Sequence, residues 1–152
     1  MSKISIVLSA ERIIVGCEVK SKKKALETIS HLLTDDGTVG DIDVHDLLGK
    51  FFEREKLGSM AIGHGVALPH IRLPNITQPV AALVILDQPI IYDEQSEPVD
   101  IILGLLMPEA NNQDNLEFLK DLAQHLKQSS VRQQLREAED NTYLYDQLCK
   151  LN

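Results

Sequence analysis

The sequence predicts an α/β fold: a single domain covering residues 1–152, in which helices flank a mixed β-sheet. Its middle third contains two apolar runs, Val80–Leu86 and Val99–Met107, of which the second is interrupted by a charged residue only at Asp100; such runs are typical of central strands covered on both faces. Segments with helical periodicity precede and follow this block and can provide that cover. A chain of 152 residues is near the common size of one domain, and no repeat or linker divides it.

The first third of the chain predicts one strand and two helices. Ile13–Gly16 is the expected strand. Ser21 is the expected N-cap of the first helix, which ends at the turn residues 35–37. Asp43 is the expected N-cap of the second helix, which ends near Gly58. The apolar stripe of the first helix is Ala25, Ile29, Leu32 and Leu33. That of the second helix is Val44, Leu47, Leu48 and Phe51.

The rest of the chain predicts further short strands and then three helices. The additional strands are Ala61–Ile62, Val66–Leu68 and Ile90–Tyr92. Asp114 or Asn115 is the expected cap of the third helix, whose buried stripe is Leu116, Leu119, Ala123 and Leu126. Ser129 or Ser130 is the expected cap of a short helix, and Asn141 that of a final helix with Leu144 and Leu148 inward.

Composition restricts the partners and the compartment. The chain has 15 basic and 23 acidic residues and a formal net charge of −8, which argues against nucleic-acid binding because that needs a basic patch. The apolar runs are far shorter than the roughly 20 residues that span a bilayer, and no signal peptide is visible. We therefore expect a cytoplasmic protein with no membrane insertion. Cys17 and Cys149 match no metal or redox spacing and are expected to be reduced core residues.

The most informative segment is Gly63–His70, in which a histidine directly follows a proline. Pro69 fixes its own φ at about −65° and pushes Leu68 into an extended conformation. His70 is therefore expected to leave the end of a short strand on a stiff backbone, with its imidazole oriented before any partner arrives. His64 lies between two glycines and is expected to be a turn residue.

Polar groups near this segment suggest an anion site. Arg54 precedes it, and a guanidinium fork matches phosphate oxygens with two parallel bonds. Ser59 is expected to donate one more hydrogen bond. The helix start at Asp114–Leu116 offers free N–H groups, although simple capping also explains it. A zinc site built on two histidines needs further ligands, and none lies at a recognisable spacing. No Walker or dinucleotide motif is present, so no cofactor is expected.

Residues 54–70 resemble the signature of the EIIA domains of the fructose–mannitol class of the phosphotransferase system. That pattern is Arg-Glu, Gly-Ser-Thr, Gly-x-Gly, and an apolar triplet ending in Pro-His. The similarity extends over nearly the whole chain, because Ser21–Leu26 resembles the first helix start of the family and Glu97–Pro108 its central strand. Within the class the chain most resembles the nitrogen-regulatory EIIA proteins, which are free-standing regulators.

The resemblance implies a role for individual residues. His70 matches the phosphoryl acceptor, Arg54 the arginine that stabilises the phosphoryl group, and Glu55 the neighbour of that arginine in the motif. Asn115 stands where the family commonly has a second active-site histidine, and Met60 stands in place of its threonine. Both departures remove a polar partner, although the amide of Asn115 can still donate a hydrogen bond.

The resemblance also implies partners and a mechanism. The expected donor is an HPr-like phosphocarrier protein, charged from phosphoenolpyruvate through an EI-type kinase, and the expected readers are regulatory target proteins. The ring nitrogen of His70 that does not attack must keep its proton, and we expect a backbone carbonyl to hold it. Ile62, Leu68 and Ile71 are expected to form an apolar rim that docks the carrier.

Three alternatives remain open at this point. The first is a sugar-specific EIIA that passes phosphate to an EIIB. The second is a binding module without phosphorylation, which the departures at Asn115 and Met60 favour. The third is a metal-dependent hydrolase built on His64 and His70.

Overall fold

A mixed β-sheet forms the centre of the molecule. The computed structural model describes residues 3–110 and 112–151, and within them six strands pair in the order β1-β5-β6-β3-β2, with β4 also beside β6. The strands are β1 (Ile13–Cys17), β2 (Ala61–Gly63), β3 (Val66–Ala67), β4 (His70–Leu73), β5 (Val80–Ile90) and β6 (Val99–Pro108). The helices are α1 (Lys3–Val7), α2 (Lys22–Asp35), α3 (Val44–Lys56), α4 (Gln113–Leu126), α5 (Ser129–Glu137) and α6 (Asn141–Cys149).

The two long strands are covered on both faces, as their apolar runs predict. Along β5, Ala81, Leu83 and Ile85 belong to one buried cluster and Ala82, Val84 and Leu86 to the other. The first cluster also takes side chains from α1 and from α4 to α6, and the second from α2 and α3. The α/β fold with helices flanking a mixed sheet is therefore confirmed.

Strand β6 organises the region that contains the histidine motif. It is antiparallel to β5 on one side and parallel to both β3 and β4 on the other, with Val66 opposite Ile101 and His70 opposite Leu105. Gly104 of β6 lets α2 approach the sheet closely, since a Cβ at this position would lie 2.3 Å from Cγ2 of Ile29. Helix α2 is thus packed directly over this part of the sheet.

Several predicted element boundaries are wrong. Ile90–Tyr92 is not a separate strand, because β5 continues to Ile90. His70 does not follow the end of a strand but is the first residue of β4, a strand that was not predicted. Helix α1 was not predicted either, since its five residues are too few to establish a helical period.

No helix in the two described stretches is long and apolar enough to cross a bilayer.

The predicted caps are confirmed for the first two long helices only. The side chains of Ser21 and Asp43 accept the N–H groups of Lys24 and Asp46. The later helices have the N-caps Asn112, Gln128 and Asp140 instead of Asp114 or Asn115, Ser129 or Ser130, and Asn141. Each of these segments contains consecutive polar residues, so composition alone does not single out the cap.

Two burial predictions need correction. Leu116 is 46% exposed, because the buried stripe of α4 lies further along the helix at Leu122 and Leu126. Cys17 and Cys149 are free cysteines, but both are half-buried, and Cys17 packs against the edge of the second cluster.

Candidate functional site

The backbone that carries His70 is held on both sides. The N–H of His70 donates to Sδ of Met60 at 3.2 Å, and the N–H of Leu68 donates to the carbonyl of Met60 at 2.9 Å. On the other side, the carbonyl of Pro69 accepts the N–H of Leu105 at 2.9 Å. Met60 thus supplies two acceptors beneath the histidine although it lacks the hydroxyl of the family threonine.

The imidazole of His70 is fixed in one tautomer. Its Nδ1 lies 2.8 Å from the carbonyl oxygen of Leu68. A carbonyl can only accept, so Nδ1 must carry the proton and Nε2 keeps its lone pair. Burial lowers the pKa of His70 below its ordinary value, which favours the neutral ring at neutral pH. The expected backbone carbonyl is confirmed, and it comes from the residue two positions earlier in the chain.

Two cations and one anion act on this imidazole. Besides burial, the charges of Arg54 and Arg72 lower the pKa of His70, whereas the charge of Glu55 raises it. Arg54 lies half-buried in the last turn of α3, with Nη1 3.4 Å from the carbonyl of Gly58. Arg72 was not predicted, although residues two apart on a strand share a face and β4 would have suggested it. The charges of three side chains therefore affect the pKa of His70.

Glu55 is the centre of a buried polar network. Its Oε1 accepts the hydroxyl of Tyr92 at 2.6 Å, and its Oε2 lies 3.0 Å from Nζ of Lys22. The same ammonium group lies 4.9 Å from the centroid of the Tyr92 ring, within the range of a cation–π contact. Burial, followed by the hydrogen bond to Glu55, raises the pKa of Tyr92, so its hydroxyl stays protonated. The network joins α2, α3 and the segment after β5.

Ser59 is committed to a neighbouring loop. Its hydroxyl donates to Oδ2 of Asp93, whose carboxylate also accepts from the N–H groups of Gln95 and Ser96. The bond from Ser59 is the main reason why the pKa of Asp93 falls to about 2. Since a serine has a single O–H donor, the predicted donation from Ser59 to an anion is not available in this arrangement.

Asn115 stabilises the start of α4. Its side-chain amide donates to the carbonyl of Ala110 at 2.8 Å, and its backbone N–H donates to Oδ1 of Asn112 at 2.9 Å. These bonds hold the connection from β6 to α4 and involve neither His70 nor Arg54. A role of Asn115 towards the histidine remains a prediction.

The predicted apolar rim is wrong. Leu68 and Ile71 are buried in the two clusters on opposite faces of the sheet, and Ile62 is half-buried. The exposed apolar side chains near the network are Leu57, which is 83% exposed, and Ile91, which is 74% exposed. Leu57 follows the last turn of α3, and Ile91 precedes Tyr92.

His64 is a turn residue, as predicted. It adopts a φ of 58° between Gly63 and Gly65, which also have positive φ. Its N–H donates to Oε1 of Glu97, and its carbonyl accepts from Arg136. Across residues 3–110 and 112–151, no three side chains of the metal-binding types are grouped so that they could hold a metal ion. The metal-dependent alternative therefore lacks the additional ligands that it requires in this part of the chain.

Comparison with known proteins identifies the family. Residues 6–150 match the model of the family described as phosphoenolpyruvate-dependent sugar phosphotransferase system, EIIA 2. The chain belongs to this EIIA family. The match covers the sheet and its flanking helices, including His70, Arg54 and Glu55.

Individual relatives agree with this assignment. A nitrogen regulatory protein of Pseudomonas aeruginosa is 35% identical over 146 residues, which are 95% of this EIIA chain and 94% of that protein. The crystal structure of the nitrogen regulatory protein IIA-Ntr from Neisseria meningitidis superposes with a TM-score of 0.84 at 32% identity, covering 97% of this chain and 99% of the other. The IIA mannitol protein of Escherichia coli has the same fold at 18% identity, with a TM-score of 0.74 and coverage of 92% and 97%.

Proposed function

We propose that His70 accepts a phosphoryl group from an HPr-like phosphocarrier protein, and that the phosphorylated and free forms bind different regulatory target proteins. The observation that carries the proposal is the bond from Nδ1 of His70 to the carbonyl of Leu68, which leaves Nε2 as the nucleophile. The lowered pKa of His70 supports it, because only the neutral ring has a lone pair to attack with.

The transfer step needs little chemistry from the protein. Nε2 of His70 attacks the phosphorus of a phosphohistidine on the carrier, and the new N–P bond forms as the old one breaks. The electron pair of the broken bond returns to the carrier's imidazole, so no net proton transfer is required. Phosphoryl transfer of this kind depends on positioning and on stabilisation of the negative charge on the phosphoryl oxygens.

Arg54 and Arg72 are the cations available for that stabilisation. Both charges act on the His70 ring, so both favour an anion placed on its Nε2. Glu55 has the opposite sign, but its carboxylate is buried and paired with Lys22 and Tyr92, which limits its repulsion of a phosphoryl group. In this arrangement Glu55 fixes the turn that carries Arg54.

A regulatory output agrees with the names of the two relatives at 35% and 32% identity, both of which are nitrogen regulatory proteins. Phosphorylation replaces a neutral imidazole by a group of about two negative charges, and partners can distinguish these two surfaces by electrostatics. Leu57 and Ile91 add exposed apolar area close to the same elements. We propose that this chain likewise acts in nitrogen regulation through binding to regulatory target proteins.

The test is phosphorylation by the reconstituted system. The protein is incubated with phosphoenolpyruvate, an EI-type kinase and an HPr-like carrier, and we expect one acid-labile phosphate on His70. His70→Ala should remain unlabelled, whereas His45→Gln, which changes an exposed histidine of α3, should label normally. Absence of phosphate from the wild type, or labelling of His70→Ala, would overturn the proposal and favour the binding-module alternative.

A sugar-specific role is the second candidate, because the matched family is described as a sugar phosphotransferase system. In that case the phosphoryl group on His70 moves on to an EIIB. The labelled protein is mixed with EIIB proteins, and rapid loss of label to an EIIB favours transport over regulation. Retention of the label together with state-dependent target binding favours regulation.

A further inference from the structure

A polar cavity that is open to solvent lies away from His70. It has a volume of about 470 Å³ and is lined by His64, Gly65, Glu97, Asp100, Arg132 and Arg136, with two prolines. Asp100 is five residues before Leu105, the residue of β6 that pairs with His70. At about 3.3 Å per residue, the two places on the strand are roughly 17 Å apart. The cavity is therefore separate from the proposed phosphorylation site.

The walls of this cavity are held by paired groups. Arg136 forms two parallel bonds to Asp100, from Nε at 2.9 Å and from Nη2 at 2.8 Å, and its Nη2 also donates to the carbonyl of His64 at 2.7 Å. A Cβ on Gly65 would lie 2.6 Å from Nη2 of Arg136, so the turn and the ion pair are in direct contact. The shape of the cavity thus exists without a ligand, as is usual for small-molecule sites.

Arg132 is the cation of the cavity that lacks a counter-ion. It is only 9% exposed, and Nη1 donates to the carbonyl of Leu126 at 3.1 Å. Within the described residues, that is the single hydrogen bond of the Arg132 side chain, and no carboxylate pairs with it. A guanidinium has five N–H donors, and the two nitrogens of Arg132 that make no hydrogen bond are accessible to solvent. An anionic group in the cavity would take up the remaining donors of Arg132.

Glu97 provides the opposite charge. One of its oxygens, Oε1, accepts the N–H of His64 at 2.6 Å, and no cation pairs with its carboxylate among the described residues. Because Arg136 and Asp100 neutralise each other, the cavity retains one positive charge on Arg132 and one negative charge on Glu97. A ligand with a single sign of charge would be attracted by one of these groups and repelled by the other.

We propose that this cavity binds a small zwitterion, with its carboxylate on Arg132 and its ammonium group on Glu97. A free α-amino acid is the simplest ligand of this class, and the volume suits a molecule of that size. The fork of Arg132 matches a carboxylate, and the open oxygen of Glu97 accepts from an ammonium group. Binding at this site does not require phosphorylation of His70.

The test is a titration of the unphosphorylated protein, followed through backbone amide signals by NMR. Each common L-amino acid is added singly at millimolar concentration. We expect at least one to shift the amides of residues 64–65, 97, 99–100 and 132–136 in a saturable way. Its analogues without the amino group or without the carboxylate should bind at least about tenfold more weakly, as expected for the loss of one charged hydrogen bond.

Two variants test the residues themselves. Arg132→Gln and Glu97→Gln should each weaken binding at least about tenfold. Lys127→Gln and Glu94→Gln change exposed charges outside the cavity and should bind as the wild type does. Should Arg132→Gln fail to fold, Glu97→Gln decides, since Glu97 is exposed. The proposal is overturned if no amino acid shifts these amides, if Glu97→Gln binds as tightly as the wild type, or if the analogue without an amino group does.

Discussion

The Nζ atom of Lys22 lies 3.0 Å from Oε2 of Glu55 and joins the first turn of α2 to the last turn of α3. A lysine at a helix N-terminus opposes the helix dipole, so the sequence alone makes Lys22 unfavourable. The carboxylate of Glu55 offsets that cost, and the ring of Tyr92 beneath the ammonium group adds to the offset. The position of Lys22 is thus explained by a residue 33 positions later in the chain.

Loss of this ion pair should destabilise the protein. Lys22→Gln leaves the buried carboxylate of Glu55 without its cation, and we expect a loss of about 1–3 kcal/mol in the free energy of unfolding. The adjacent Lys23→Gln removes an exposed charge from the same turn and should change it by less than about 0.5 kcal/mol. Urea unfolding of both variants measures the difference, and equal stabilities would contradict the role assigned to the pair.

Glu55→Gln should lower the pKa of His70 further. The negative charge of Glu55 favours the protonated imidazole, so its removal favours the neutral ring. Gln keeps an oxygen that can accept the hydroxyl of Tyr92, which preserves much of the network. An NMR titration of the His70 ring gives the pKa directly. A pKa equal to or above that of the wild type would contradict the effect assigned to the charge of Glu55.

Arg72→Gln should move the same pKa in the opposite direction. The guanidinium of Arg72 disfavours the protonated ring of His70, so the pKa should rise towards its ordinary value. If Arg72 also stabilises the phosphoryl group, this variant should be labelled more slowly at neutral pH. The raised pKa of His70 would not cause that loss, because the additional protonation occurs only below neutral pH. An unchanged pKa would mean that the charge of Arg72 does not reach the imidazole.

His70 should make the stability of the protein depend on pH. Its pKa is lowered in the folded state, whereas the unfolded chain has a value of about 6.5. Between the two values the unfolded state binds more protons, so the free energy of unfolding falls as pH decreases from about 6.5 towards the folded pKa. His70→Asn lacks this contribution. On acidification from about pH 6.5, the free energy of unfolding of the wild type should therefore fall more than that of His70→Asn; an equal fall in the two proteins would contradict the lowered pKa.

Gly104 should not tolerate a side chain. A Cβ there would meet Ile29 at 2.3 Å, and Gly104→Ala should lower the free energy of unfolding by about 1–3 kcal/mol. In an Ile29→Ala background the clash is absent, so the same substitution should cost much less. Thermal unfolding of the two single variants and the double variant measures this coupling, and purely additive effects would contradict the contact.

The sequence predicted the features that repeat or that depend on neighbouring residues. The runs of β5 and β6, the caps Ser21 and Asp43, and the carbonyl at His70 follow from periodicity, local hydrogen bonding and the chemistry of imidazole. The hydrogen bond between Tyr92 and Glu55 could not be predicted, because the two residues are 37 positions apart and no local sequence pattern indicates that they are in contact. Strand β4 was missed since its four residues alternate too briefly, and Arg72 was missed with it.

The bond between the His70 ring and the Leu68 carbonyl has a consequence for how the site can be dissected. Its acceptor belongs to the main chain, so every replacement of the Leu68 side chain leaves the oxygen in place. An alanine scan would therefore not detect the contribution of this hydrogen bond, which leaves Nε2 as the reactive nitrogen. Only a change of the peptide group itself, such as an ester introduced by chemical synthesis, would weaken this acceptor and reveal what it contributes.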